Sequence, residues 1–438
     1  MTPPAGARWA GHAVPPRIPR PTPAPRAHSP RIDRLAGEVA ASGARAVDEF
    51  WREAAASGTP LVEQCAGPEI VGERAAGGAD EVIATFLWRG TAETRRVTAF
   101  VNKLYDPADP AASAMRNVAG TDVWWLSYRL PADWRGSYHL IPEEGDGAET
   151  GAAALVPDPL NPERLPQPAG TPAKSVASMP SAPGAHHLGP AGPGPRGAVT
   201  ETGIGSVVLG GRRRVWVHTP HEPAEARDSG RRGAAGCPLL VLLDGEMWFG
   251  TLGIASALDR LTAAGTIPPM VTVGVDALDA ASRAEELTCH GPFVRFLVDE
   301  LLPWAQSGWG AGGDPDRTII AGQSLGGLAA LHAAASEPDR IGCVLAQSPS
   351  LWWGGRDGDR REEWLTARLA RSTRLPRHIY LEVGCDEWVN VAPARRFRAM
   401  LADTDCRLDY REFSGGHDRA CWRVGIADGL AALTAGVQ

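Results

Sequence analysis

The stretch Thr318–Leu328 reads Thr-Ile-Ile-Ala-Gly-Gln-Ser-Leu-Gly-Gly-Leu, and it narrows the possible folds more than any other part of the chain. Arg317–Gly322 is a mostly apolar run of strand length. Leu325–Ala335, rich in Ala and Leu, reads as a helix. Between them lies Gly322-Gln323-Ser324-Leu325-Gly326, a G-x-S-x-G in the strand–turn–helix context that a nucleophile elbow requires. In so tight a turn, side chains at Gly322 and Gly326 are expected to collide with the neighbouring strand and helix. Ser324 is then held in a strained conformation with its hydroxyl exposed at the strand's carboxyl end. The Leu325 N–H, at the helix start, faces the same space and can stabilise an oxyanion.

The surrounding chain has the pattern such an elbow needs. From about Gly203 onward, apolar runs at Pro238–Leu243, Met270–Val275, Arg317–Gly322, Gly342–Ala346, His378–Val383 and Arg407–Phe413 alternate with helical stretches such as Val294–Trp304. That alternation predicts a mainly parallel sheet buried on both faces. The earlier half differs. Glu81–Trp88, Arg95–Lys103, Thr121–Arg129 and Gly136–Ile141 are short strand-like runs separated by Pro, Asp and Gly clusters, and they predict a β-sandwich. Adjacent Trp124 and Trp125 must face opposite sides of their strand, so one can be core while the other lines a surface. Ile32–Ala55 has helical periodicity. The organisation predicted is a disordered Pro/Arg-rich tail over residues 1–34, an all-β domain over 35–157, a Pro/Gly-rich linker over 158–200 and an α/β domain over 201–438. Asp158-Pro159-Leu160-Asn161-Pro162 is more specific than a random linker.

With 438 residues, 43% hydrophobic and 22% charged, the chain has the composition of a soluble globular protein. Its net charge of −7 argues against nucleic acid or an anionic membrane as partner. The seven cysteines are scattered, without a C-x-x-C pair, which predicts thiols in a reducing compartment and no metal centre. The N-terminus lacks the apolar core of a secretory signal, so a cytoplasmic location is expected.

A serine nucleophile needs a base and an orienting acid. In α/β hydrolases they follow in the order Ser, acid, His. The strand His378–Val383 ends in Gly384-Cys385-Asp386-Glu387, and the last strand ends in Phe413-Ser414-Gly415-Gly416-His417. His417 is the histidine in the right order and place for the general base, since His378 begins its strand. Glu387 lies farther past its strand and is the favoured acid, with Asp386 the other candidate. A second oxyanion donor is expected from Gly245–Glu246 after the strand ending at Leu243.

Gly322–Gly327, Ser348-Pro349-Ser350-Leu351-Trp352-Trp353 and Tyr410–Arg423 together resemble the enterochelin (enterobactin) esterase family, an esterase D-like branch of the α/β hydrolases. Arg283–Cys289 and Glu300–Trp304 add to the likeness. Phe86–Gly90, Gly120–Trp125 and Tyr128–Pro131 are similar to that family's immunoglobulin-like N-terminal domain. The resemblance implies a cytoplasmic enzyme that hydrolyses esters of a ferric catecholate siderophore. It implies no cofactor, since ferric iron enters with the substrate, and it implies Ser324, His417 and Glu387 as the matching catalytic positions. A ferric tris-catecholate is a flat-faced trianion, so its pocket needs aromatic faces and cations. Arg283, Trp248, Trp352 and Trp353 follow strands on the catalytic side. Trp124 or Trp125 can add a face from the N-terminal domain, which is expected to recognise substrate. Two other functions compete: an esterase of carbohydrate or hydroxycinnamate esters, and a siderophore-binding protein without turnover.

Overall fold

The computed structural model describes residues 14–16, 18, 20–65, 80–145, 154–189, 196–221, 237–355 and 363–436. They divide into two compact units. One comprises Pro19–Gly184 with Ser414–Cys421; the other is built principally from Ala185–Phe413 and Trp422–Gln438.

The first unit is the expected sandwich. Strands β1 (Leu61–Gln64), β2 (Glu81–Arg89), β4 (Arg116–Asn117) and β5 (Val123–Pro131) form one sheet in the order β1-β2-β5-β4. Strands β3 (Thr94–Val101), β6 (Arg135–Glu144), β7 (Arg164–Leu165) and β8 (Lys174–Ser178) form the other, in the order β3-β6-β8-β7. All these pairings are antiparallel. The alternation at Val97, Ala99 and Val101 points all three into a core shared with Phe86, Tyr128 and Leu140. Phe86 meets Tyr138 edge to face, with ring centroids 4.8 Å apart.

Two expectations are corrected here. Residues 158–200 are not a linker: they carry β7, β8, a short 3-10 turn at His186–Leu188 and the start of the next strand. Their Pro- and Gly-rich composition hides short strands that gain their regularity by pairing, β8 with β6 and β7 with β8. Asp158 is a buried node within this stretch. Its carboxylate accepts from the Thr59 hydroxyl at 2.7 Å, the Tyr138 hydroxyl at 2.8 Å and the Leu160 N–H at 2.9 Å. The tail reading over residues 1–34 also fails at its end, because a helix begins at Pro30. Ser29 caps it by accepting the Ile32 N–H at 3.2 Å, with proline in the first turn. Residues 1–13 of that tail lie outside the described residues. The helices Pro30–Ser42 and Ala44–Ser57 bury Ile32, Leu35, Phe50 and Trp51 against Leu87, Val123 and Trp125 of the sheet.

The second unit is an α/β hydrolase fold. Strands β9 (Ala198–Ser206), β10 (Gly211–Thr219), β11 (Leu239–Leu243), β12 (Val271–Val275), β13 (Thr318–Gln323), β14 (Cys343–Gln347), β15 (His378–Gly384) and β16 (Arg407–Phe413) lie in the order β16-β15-β14-β13-β11-β12-β10-β9. The six strands from β11 to β16 run parallel, and the hairpin β9–β10 joins antiparallel at one edge. Strands β11 to β15 are buried along their whole length. Leu239, Val241 and Leu243 enter one apolar cluster and Leu240 and Leu242 the other, so helices cover both faces. This arrangement delivers the carboxyl ends of β11, β13, β14, β15 and β16, with the loops that follow them, to one end of the sheet.

Candidate active site

Ser324 follows β13 with φ 58° and ψ −119°, a conformation that L-residues other than glycine seldom adopt. Its N–H donates to the Gln347 carbonyl at 3.0 Å, and its own carbonyl accepts the Ser350 N–H at 3.0 Å. Backbone bonds on both sides therefore hold the strain. Gly322 is needed as expected: a Cβ there would lie 2.3 Å from the Gly326 backbone. Gly326 is different, because a Cβ there would meet nothing closer than Asp244 Oδ2 at 3.4 Å. The expected collision is thus confined to Gly322. Ser324 is half-buried, and its hydroxyl lies 3.4 Å from that of Ser350. Leu325 opens the helix Leu325–Ser336, so its N–H has no partner from a preceding helical turn.

The loops after β14 and β15 meet at Glu387. Ser348, at φ 47°, donates its hydroxyl proton to Glu387 Oε1 at 2.6 Å and accepts the Trp422 indole N–H at 2.9 Å. The Gly384 N–H adds a bond to Oε1 at 2.8 Å, and Asn390 Nδ2 donates to Oε2 at 2.6 Å. Both oxygens of this fully buried carboxylate are thereby oriented. Asp386, its neighbour, is buried as well. The sequence assigns no site role to Ser348, Ser350 or Asn390, although Ser348 and Ser350 lie in a motif that carries the resemblance; the available signal is that pair of small hydroxyl residues just after the apolar strand beside the elbow.

The loop after β11 opens the short helix Gly245–Gly250. A Cβ on Gly245 would lie 2.5 Å from the backbone of Gly274 in β12, so this loop rests on the sheet because glycine permits it. Arg283 grips the same loop, donating Nε and Nη2 to the two oxygens of Asp244 at 2.6 and 2.7 Å. Its charge is therefore matched by Asp244, and its fork braces the loop instead of standing ready for an anionic ligand. The Glu246 carboxylate accepts the Ala277 N–H at 3.0 Å, and burial pushes its carboxyl above the ordinary range.

The predicted aromatic faces divide sharply. Trp248 is buried and donates its indole N–H to Gln323 Oε1 at 2.8 Å. Trp353 is buried edge-on against Trp364. Both belong to the core, and neither offers a face to substrate; Trp352 is half-buried. In the sandwich unit, Trp124 and Trp125 do face opposite ways. Trp124, half-buried, borders the sandwich core, whereas Trp125 is sealed under the N-terminal helices.

His417 lies in the segment Ser414–Cys421, which packs as part of the sandwich unit. Asn102 Nδ2 donates to the His417 carbonyl at 3.2 Å, and the Ser137 N–H donates to Asp418 Oδ2 at 2.6 Å. The other oxygen of Asp418 accepts the Ala420 N–H at 2.9 Å, which starts the helix Arg419–Thr434. A main-chain bond from Arg135 N–H to the Ser414 carbonyl at 3.0 Å fixes the segment's entry. Among the described residues, no group of three or more His, Cys, Asp or Glu side chains could hold a metal ion, and no helix is long and apolar enough to cross a membrane.

A mainly parallel sheet with a strained serine at the carboxyl end of a central strand defines an α/β hydrolase of the esterase type. The comparisons with known proteins agree. The family described as putative esterase matches residues 206–433, and the family described as the N-terminal part of enterochelin esterase matches residues 83–188. The chain is 33% identical over 432 residues to the iron(III) enterobactin esterase of Dickeya dadantii (strain 3937), an overlap that covers 89% of this chain and 93% of that protein. The crystal structure of ferric enterobactin esterase from Salmonella typhimurium superposes with a TM-score of 0.71 at 30% identity, covering 88% of this chain and 98% of that one. The Shigella flexneri enterobactin esterase, crystallised in the presence of enterobactin, gives 0.67 at 32% identity over 83% and 96%. The chain belongs to the enterobactin esterase family and is a carboxylic ester hydrolase.

Proposed function

We propose that this enzyme hydrolyses the ester bonds of a ferric catecholate siderophore, a trilactone of the enterobactin kind, and so releases its iron in the cytoplasm. The observation that carries the reading is Ser324, held at φ 58° at the end of β13, in a chain whose relatives along nearly their full length are iron(III) enterobactin esterases. In this mechanism His417 takes the Ser324 proton as Oγ attacks the ester carbonyl. The Leu325 N–H and an N–H of Gly245 or Glu246 stabilise the oxyanion. The intermediate collapses as His417 returns the proton to the departing alkoxide, and water then repeats the sequence on the acyl-enzyme. Glu387 orients the imidazole; its fixed, fully buried carboxylate favours it over Asp386. Trp352 supplies the aromatic face in the catalytic unit, and Trp124 is the candidate in the sandwich unit, which serves recognition.

The test is product analysis by mass spectrometry on a panel of ferric tri-catecholate lactones alongside a hydroxycinnamate ester. Linear catecholoyl-serine products are expected from the lactones. Ser324→Ala and His417→Ala should each lower turnover by roughly three to six orders of magnitude, and the double variant by little more, because the groups act as one unit. Turnover of the hydroxycinnamate ester alone would sink the substrate assignment. Unaltered turnover in Ser324→Ala would sink the mechanism.

A further inference from the structure

Three neighbouring strands of the parallel sheet each carry a long polar side chain at or near the carboxyl end, at the same register. Gln323 of β13 pairs with Gln347 of β14, and Gln347 with Glu382 of β15. All three are buried, at 4%, 0% and 1% exposure, inside a mostly apolar sheet. Polar groups so deep in a core are expensive unless fully bonded, and these are bonded in one continuous row. The Trp248 indole donates to Gln323 Oε1 at 2.8 Å; Gln323 Nε2 donates to Gln347 Oε1 at 2.9 Å. Gln347 Nε2 donates to Glu382 Oε1 at 2.7 Å and to the Trp422 carbonyl at 2.8 Å, and the Tyr380 hydroxyl donates to Glu382 Oε2 at 3.1 Å.

The direction of the row is fixed by chemistry. An indole N–H can only donate, so Gln323 must turn its oxygen to Trp248 and its nitrogen to Gln347. Gln347 must then turn its oxygen to Gln323, which leaves both protons of its nitrogen for Glu382 and the Trp422 carbonyl. Flipping the Gln323 amide would break two bonds, and flipping that of Gln347 three. Every member stands beside a piece of the candidate active site. Trp248 lies in the helix that Gly245 and Glu246 open. Gln323 immediately precedes Ser324, and Gln347 immediately precedes Ser348, the hydroxyl that holds Glu387. Glu382 lies two residues before Gly384, whose N–H also binds Glu387. Trp422, which bonds Gln347 through its carbonyl, holds Ser348 through its indole.

We propose that Gln347 is a positioning residue for ester hydrolysis: it is the junction through which this buried row sets the spacing of the oxyanion loop, the nucleophile and the acid loop. The proposal rests on Ser324 being the nucleophile. Substrate does not reach the row, so its loss acts on the geometry of the reacting groups and appears in kcat.

The test uses the full chain on an activated aryl ester, with urea unfolding measured in parallel. Gln347→Met keeps the length of the side chain and removes its polar end. It is expected to lower kcat by about tenfold to a hundredfold with KM within about twofold, the scale of a misplacement of about an ångström. Gln347→Glu is expected to be impaired likewise at neutral pH, because it sets a second carboxylate against Glu382. Adding Glu382→Gln gives that carboxylate an amide on either side but leaves its oxygen against the Trp422 carbonyl, so it should restore part of kcat and not all of it. Folded Gln347→Met with kcat within about twofold of the parent would overturn the proposal. Should Gln347→Met fail to fold, absence of recovery in the double variant overturns it equally. Parental activity in Ser324→Ala would instead remove the nucleophile assignment, so the two failures are told apart.

Discussion

Replacing Glu382 with Gln should change how the stability of this protein depends on pH. The carboxyl is sealed between β14 and the helix Arg419–Thr434; a Cβ on Gly425 would sit 2.4 Å from its Oε1. Burial pushes its pKa from 4.5 up to about 7, although bonds from Gln347 and Tyr380 pull the other way. The sign follows from linkage. Below pH 4.5 the carboxyl is protonated in both the folded and the unfolded chain, and its contribution to stability is fully present. As pH rises the unfolded chain ionises first, and stability is lost until the folded carboxyl also ionises near pH 7. Each unit of difference is worth about 1.4 kcal/mol, so roughly 2 to 3 kcal/mol disappears between about pH 5 and about pH 8. Glutamine does not titrate. It can still accept from Gln347 and can donate to the Tyr380 oxygen. The stability of Glu382→Gln relative to the parent should therefore improve by roughly 2 to 3 kcal/mol over that interval. Urea unfolding of both proteins at the two pH values measures the difference directly. A relative stability that does not change with pH would show that Glu382 is not a buried carboxyl titrating in this range, and the reasoning would fail.

Three further outcomes follow from the geometry. Gly322→Ala should abolish ester hydrolysis and lower stability by several kcal/mol, since its Cβ meets backbone at 2.3 Å, whereas Gly326→Ala should fold and keep measurable turnover; equal behaviour of the two in activity and melting assays would contradict the elbow's packing. Arg283→Leu leaves the Asp244 carboxylate without its bidentate partner, so kcat on a small ester should fall through loss of the oxyanion loop; a rise in KM for the siderophore alone, with small-ester kcat unchanged, would restore Arg283 to substrate binding. Trp125→Ala should destabilise the sandwich by roughly 3 to 5 kcal/mol, and Trp124→Ala by clearly less while weakening siderophore turnover; matching losses in calorimetry would show that the two faces are equally packed.

The parts of this protein that were legible in its sequence are those that local pattern determines. Strands β11 to β15 are apolar runs because both their faces are covered, and Gly322-Gln323-Ser324-Leu325-Gly326 shows its turn through its glycines. What escaped depends on register and on distant partners. β7 and β8 look like linker because two and five residues become strands only through pairing, β8 against β6 and β7 against β8. Trp248 and Trp353 were expected to face substrate, but a tryptophan after a strand carries no mark of which way it turns. Gln323, Gln347 and Glu382 are each a single polar residue at or near the end of a mostly apolar run, and only the pairing of β13, β14 and β15 sets them side by side. Arg283 has the composition of an anion ligand until Asp244, 39 positions earlier, is seen to occupy it.

The sandwich unit takes one of its pieces from the far end of the chain, since Ser414–Cys421 packs with Pro19–Gly184. A ribosome builds the two stretches in that order, with the whole sheet of the other unit made between them. The sandwich strands can therefore collapse early, but the Ser137 N–H must bond water until Asp418 is made, and Asn102 must wait for the His417 carbonyl. Ordering of the histidine loop is then among the last events in the life of the nascent chain. An incompletely synthesised molecule, however well its early strands have folded, has no place yet in which to hold His417.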